Sequence, residues 1–398
     1  MRNSTVSPGE SDRAYADLET ALREVGVRAA VVLGSVGKGE RPLLVSGPLA
    51  ELSDIEIACV GVKPWRKDRV TQAARLLSRR LGQNVRIYTT HPSWSTVRRF
   101  FSTVTAQVDS PTLKEYDCWF GSRIIFGRDF RNPNHVQPDR HPPSWEGVML
   151  VLNHSVGVLR GMLLTDASPN RIQAFQEYAA AKVLLACTVF LELMLGSYHI
   201  DPRQRIEFLR LHAESWTREL AIDEGMAIRA FERALRAKSS PGNGGNQHRG
   251  SDVLEDTQTI LDRVLRQALG LAQPPQTASL SQLATAYMRQ VHVAPQNPSD
   301  LLVSKSIDFY RATGLLGRGK GVQMLRLAIE HRVAVRHLVY SQVGPLVLGR
   351  LRHVGKSELA ELAVAAKGLY GEQRVASTRE PWSCMALRVE RLWRGFCE

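Results

Sequence analysis

The chain has 398 residues, 43% hydrophobic and 23% charged, with 30 glycines and 19 prolines, a make-up that excludes collagen-like and low-complexity disordered classes. At roughly 100–200 residues per domain it predicts two or three domains, and no run reaches the ~18 apolar residues of a membrane-spanning helix. The formal net charge is +13, and from Leu301 to Glu398 there are 16 Lys and Arg against 8 Asp and Glu, so +8 of it lies in the last quarter. Such a basic field attracts polyanions, nucleic acid among them.

Residues 1–25 are polar and lead into a first helix, with Ala14, Leu18, Ala21 and Leu22 at helical spacing. They lack the apolar core of a signal peptide, so the expected location is cytoplasmic. Val27 to Leu33 is a short β-branched run ending at Gly34-Ser35, the pattern of a buried strand entering a turn. Ile55 to Val60, Val85 to Tyr88 and Arg123 to Gly127 predict further strands, and Lys67 to Leu81 a helix closed by Gly82. Residues 1–130 thus predict a small α/β domain.

Past the prolines between Pro133 and Pro143 the strand signals fade. Val148 to Thr165, Arg171 to Gly196, Pro202 to Leu211 and Glu224 to Lys238 predict a helical domain over 145–238. Within it, Tyr178 to Leu195 is apolar on nearly every face, as in a helix surrounded by others. Residues 239–251 (SSPGNGGNQHRGS) predict a flexible linker. Residues 252–398 predict a basic helical C-terminal domain, with helices over Val253 to Leu271, Ser279 to Val291, Val322 to Val339 and Ser357 to Tyr370. The five cysteines are scattered and form no CxxC pair, which excludes a disulfide framework and a cysteine-zinc site. Cys59 and Cys187 sit in apolar runs and predict buried thiols.

Chemistry concentrates in Leu33-Gly34-Ser35-Val36-Gly37-Lys38-Gly39-Glu40, followed by Ser53-Asp54-Ile55-Glu56-Ile57. On a strand, residues i and i+2 share a face about 6.6 Å apart, so Asp54 and Glu56 project together while Ile55 and Ile57 face the core. Paired carboxylates suit Mg²⁺, which prefers oxygen ligands and shares them with phosphates. Backbone amides at Gly34-Ser35 can approach a phosphate closely where Gly34, Gly37 and Gly39 lack Cβ atoms, and Lys38 adds a positive charge.

These pieces together resemble the polymerase-beta-like nucleotidyltransferase superfamily. Its signature is an apolar strand (here Val31-Val32-Leu33), Gly-Ser (Gly34-Ser35), a short helix, and an acid-x-acid strand (Asp54-Ile55-Glu56). The fuller pattern is similar to a bacterial branch that often accompanies polysaccharide biosynthesis and carries a helical domain after the catalytic one. The resemblance covers roughly residues 15–240. It implies that Gly34 and Ser35 hold the β- and γ-phosphates of a nucleoside triphosphate such as ATP, and that Asp54 and Glu56 bind Mg²⁺. Some relatives also reach the triphosphate with a lysine of the helical domain, here Lys182, although a lysine there can equally snorkel to the surface. The implied reaction is transfer of the nucleotidyl group to a hydroxyl acceptor with release of pyrophosphate.

The pattern departs at the third strand. Where the family has a third carboxylate, Val85-Arg86-Ile87 carries an arginine, and the later acids Asp109 and Asp117 lie outside any alternating pattern. That leaves two further readings: a degenerate nucleotidyltransferase fold that senses nucleotide or acts as a scaffold, and an RNA-directed protein using its basic C-terminal region. For the latter, Trp382 and Trp393 stand among Arg379, Arg388, Arg391 and Arg394, an interleaving able to stack bases or to pack a terminal helix. Gly317 to Gly321 (GRGKG) and Arg326, Arg332 and Arg336 add basic groups, with the loop lacking P-loop spacing. His91 and His154 show no metal spacing.

Overall fold

The computed structural model describes residues 8–40, 43, 54–62, 67–89, 111–129, 140–165, 167–239, 249–273, 278–293, 335–365 and 381–396. These are mostly helical, with one mixed four-stranded sheet. The chain groups into two compact units, Met1–Glu146 with Glu192–Phe208 and Ser239–Asn243, and Gly147–Leu191 with Leu209–Lys238 and Gly244–Glu398.

In the first unit, helix α1 (Pro8–Glu24) leads into strand β1 (Ala29–Val32), the four-residue helix α2 (Gly34–Gly37) and strand β2 (Asp54–Val60). Helix α3 (Lys67–Leu81), strand β3 (Asn84–Thr89), helix α4 (Leu113–Phe120) and strand β4 (Arg123–Phe126) follow. The sheet order is β3-β2-β1-β4, with β1 antiparallel to β2 and β4 and β2 parallel to β3. A parallel pair needs a crossover, and α3 supplies it. Strand β1 is buried along its whole length, which is why its sequence reads as an unbroken apolar run. Strand β2 alternates instead. Ile55, Ile57 and Cys59 enter a core with Leu18 and Leu22 of α1, Leu77 of α3, Val85 and Phe126, so Asp54 and Glu56 fall on the opposite face. Helix α4 has no counterpart in the sequence reading; its short amphipathic stretch places Tyr116, Cys118 and Trp119 inside.

The second unit draws on helices α5 (Ser144–Leu163), α6 (Pro169–Met194) up to Leu191, α8 (Ala213–Leu220) and α9 (Glu224–Ser239), while most of α7 (Pro202–Leu211) falls in the first unit. The second unit continues through α10 (Arg249–Ala268), α11 (Leu280–Val293), α12 (Val335–Leu351), α13 (Lys356–Ala365) and α14 (Pro381–Phe396). The all-round apolar stretch of α6 is buried from Ala179 to Leu193 apart from Lys182. Helix α8 was not legible in the sequence: eight residues give little periodicity, yet Trp216 and Leu220 are fully buried and the Trp216 indole donates to the Leu209 carbonyl at 2.9 Å. Residues 249–251 of the expected linker belong to α10. The expected helix over 322–339 falls largely outside the described residues. The helix that is described there, α12, runs on to Leu351 through Pro345. Proline normally ends a helix, but burial of Leu338 to Leu348 on every side favours continuity over a break. Among the described residues, no helix is long and apolar enough to cross a membrane.

Candidate functional site

Both carboxylates of β2 stand where the alternation predicts, half-buried on the sheet face away from α1 and α3. The parallel register pairs Asp54 with Asn84, Glu56 with Arg86 and Ala58 with Tyr88. Paired residues of a ladder point to the same face, so the two acids share theirs with an amide, a guanidinium and a phenol. Asn84 donates to Asp54 Oδ1 at 2.7 Å, and Arg86 Nε lies 3.1 Å from Asp54 Oδ2. The Tyr88 hydroxyl donates to Glu56 Oε1 at 2.9 Å. Burial and the neighbouring Glu56 carboxylate both push the Tyr88 phenol above its ordinary value, so it stays protonated and remains a donor.

The Gly-Ser turn meets this face directly. The Leu33 amide donates to the Glu56 carbonyl at 2.8 Å, extending the β1–β2 ladder by one bond. Gly34 follows with φ +61°, and a Cβ there would stand 2.7 Å from Glu56 Oε2. The left-handed backbone is what favours glycine here, and the missing Cβ lets the end of the Glu56 side chain lie against the turn. Ser35 is half-buried in α2. Gly37 serves a different purpose from the one its spacing predicts. Its missing Cβ accommodates the Val32 and Gly121 carbonyl oxygens, 2.5 and 2.7 Å from where that atom would be, so protein backbone fills the space.

Lys38 is directed at the protein. Its ammonium lies 2.5 Å from Asp117 Oδ2 and 3.4 Å from the Tyr198 hydroxyl, which itself donates to Asp117 Oδ1 at 2.7 Å. Burial alone would lower the Lys38 pKa, but Tyr198, Asp117 and Glu40 outweigh it and hold the ammonium above its ordinary value. Behind this triad, Tyr116 packs edge-on against Tyr198 and the Arg205 guanidinium lies 5.4 Å from the Tyr198 ring centre. Arg205 also approaches the fully buried Glu192 at 3.3 Å, and Glu192 accepts from the His199 amide at 2.9 Å and bonds its ring. Sequence reading missed Tyr198 because its partners Asp117 and Lys38 lie far away along the chain, and missed the local Glu192–His199–Arg205 cluster because no motif marks it. The pairing of Asp117 with Lys38 likewise spans an interval that no motif links.

Lys182 belongs to the second unit, half-buried on α6 with its ammonium 4.9 Å from the centre of the Tyr178 ring. Asp109, His91, Arg326, Arg332 and the Gly317–Gly321 loop lie outside the described residues. Trp382 packs inside the helical unit, its indole donating to the Leu346 carbonyl at 2.8 Å. Trp393 donates to Asn153 Oδ1 at 3.1 Å. The packing alternative thus accounts for Trp382, which has no exposed face on which a base could stack. Cys59, Cys118 and Cys187 are buried, and burial pushes the Cys59 thiol up to about 12, so it is inert at neutral pH.

A divalent ion can be tested against these residues. Asp54 and Glu56 offer two hard oxygen ligands on one face, and the glycine beside Glu56 leaves its carboxylate accessible from the turn. That donor set suits one Mg²⁺ completed by water and phosphate oxygens. No third carboxylate joins it: among the described residues no group of three His, Cys, Asp or Glu could hold a metal. Comparison with known proteins finds no matching family model, no matching curated protein and no matching solved structure.

Proposed function

We propose that the first unit is a nucleotidyltransferase-type domain that binds a nucleoside triphosphate at Gly34-Ser35, Asp54 and Glu56 and passes its nucleotidyl group to a hydroxyl acceptor. The observation that carries this reading is the junction of the Gly-Ser turn with the acid-x-acid strand, where the left-handed Gly34 brings the backbone of the turn against the Glu56 carboxylate. Gly34 and Ser35 take the β- and γ-phosphates, and Asp54 and Glu56 hold one Mg²⁺, which supplies positive charge to the triphosphate. The acceptor oxygen attacks the α-phosphorus in line, the bond to the β-phosphate oxygen breaks, and pyrophosphate leaves. The acceptor's proton goes to water, because a guanidinium at Arg86 cannot take it.

A second reading is favoured by one contact, the Arg86–Asp54 ion pair. A guanidinium in the third acidic place lowers the negative charge that a second metal needs, and the site then holds nucleotide without turnover. Calorimetric titration of ATP, GTP, CTP and UTP, with and without Mg²⁺, tests both readings. Mg²⁺-dependent binding lost in the Asp54→Ala/Glu56→Ala double variant supports a nucleotide site. Release of pyrophosphate with a hydroxyl-bearing acceptor then separates transfer from sensing. Absence of binding by any of the four in folded wild type refutes both.

A further inference from the structure

We infer that the helical unit contains a separate site for a small organic phosphate, in a cavity of about 450 Å³ between α10 and α11. Its residues all belong to the second unit. The wall from α11 presents Ser281, Thr285 and Arg289, spaced four apart, so that they stack on one face over successive turns. The α10 side contributes Arg266, whose side chain is only 1% exposed. Among the described lining residues there are two arginines and no carboxylate.

The Arg266 guanidinium is fixed rather than wandering: Nε donates to Asp262 Oδ1 at 2.9 Å and Nη1 to the Ala272 carbonyl at 3.0 Å. That same Asp262 oxygen receives Arg352 Nη2 at 2.5 Å. One carboxylate therefore serves two guanidinium groups, and the exposed Arg289 adds a third positive charge at the rim of the cavity. Glu358 is the other acid nearby, but it accepts from the Leu280 amide at the start of α11 and does not line the cavity. Arg266, Arg352 and Asp262, 1%, 18% and 15% exposed, together carry one positive charge more than negative; a surplus held that far from water is costly without a counter-charge, and an anion in the cavity supplies one.

The chemistry selects phosphate within the anions. Two guanidinium groups and two hydroxyls match a tetrahedral group of several acceptor oxygens better than a planar carboxylate with two. The volume selects an organic ester, since it falls in the ~300–1,000 Å³ range of small-molecule sites and inorganic phosphate would leave most of it unfilled. Leu271 and Ala286 provide the apolar surface for the body of the molecule.

The test is calorimetric titration of the full chain with AMP, glucose 6-phosphate, glycerol 3-phosphate and inorganic phosphate, each without Mg²⁺. At least one organic ester is expected to bind, more tightly than inorganic phosphate. Arg289→Glu, at an exposed position and with its fold checked by circular dichroism, should weaken it by about tenfold or more, the worth of one charge-assisted hydrogen bond. Thr285→Trp, which obstructs the cavity, should weaken it similarly, while Asp54→Ala/Glu56→Ala should leave it unchanged. No binding by any ester overturns the proposal, as does binding that ignores both Arg289→Glu and Thr285→Trp. Equal binding of glucuronate and glucose 6-phosphate overturns the choice of phosphate.

Discussion

Replacing Lys38 by methionine separates two roles that its position in the Gly-Ser-x-Gly-Lys stretch allows. The structure ties its ammonium to Asp117 and Tyr198, with the Lys38 and Asp117 side chains 12% and 22% exposed. Breaking a fully buried pair costs about 3–5 kcal/mol, and an exposed pair about 0–1 kcal/mol. Here the carboxylate keeps the Tyr198 hydroxyl at 2.7 Å, so it is not orphaned, and the expected loss is about 2 kcal/mol. Tyr198→Phe alone should cost about 1 kcal/mol. The double variant should cost less than the sum, because both act on one carboxylate. Urea unfolding followed by far-UV circular dichroism, with each variant beside wild type, measures these shifts. The Lys38 contribution should also be flat between pH 6 and 9. Its folded pKa lies above the unfolded 10.5, so the stabilisation is complete below 10.5 and lost only as pH rises past it. An unshifted midpoint in Lys38→Met, accompanied by loss of Mg-nucleotide binding, would falsify the structural role and return Lys38 to the phosphates.

Further expectations follow from single contacts. Arg86→Met removes a cation 3.1 Å from Asp54 in a pair about one-third exposed; the relief of repulsion, about 1–1.5 kcal/mol after solvent screening, should tighten Mg-ATP binding roughly tenfold. Weaker binding in that variant, read by the same calorimetry, would instead mean that Arg86 contacts the nucleotide. His337 is buried against the Tyr287 hydroxyl at 3.0 Å, and burial followed by the Arg336 charge lowers its pKa to about 3. Since the unfolded chain binds that proton near pH 6.5, stability should fall by up to ~1.4 kcal/mol per unit as pH drops below 6.5; urea midpoints at pH 7 and pH 5 should differ less in His337→Asn than in wild type. Trp382→Ala removes an indole packed under α12 and its hydrogen bond to Leu346, a loss of about 3–5 kcal/mol visible as a lowered melting temperature. If that variant melts with wild type and loses RNA retention in a filter assay, Trp382 belongs to a nucleic-acid surface after all.

Much of the first unit was legible in one dimension because its signals are local. Alternation in Ile55-Glu56-Ile57 is a statement about the two faces of a strand, and the run before Gly34 about a strand covered on both. Helix α3 announced itself by periodicity for the same reason, and α6 by an apolar stretch that runs round nearly every face. Short elements did not: α4 and α8 span eight residues each, too few turns for a period to emerge. Helix α12 passed Pro345 because its burial outweighs a local rule. At the candidate site, the glycine turn, the acid pair and the arginine in the third acidic place can all be read from residue order. What the arginine does there cannot. Only the parallel register of β2 and β3 puts Arg86 opposite Glu56 and within reach of Asp54. Lys38 shows the same limit more sharply, since a lysine beside glycines promises a phosphate contact while its actual partners stand on α4 and before α7. Sequence spacing determines which face a side chain takes within its own element; the charge it meets is decided by chain segments brought together in space.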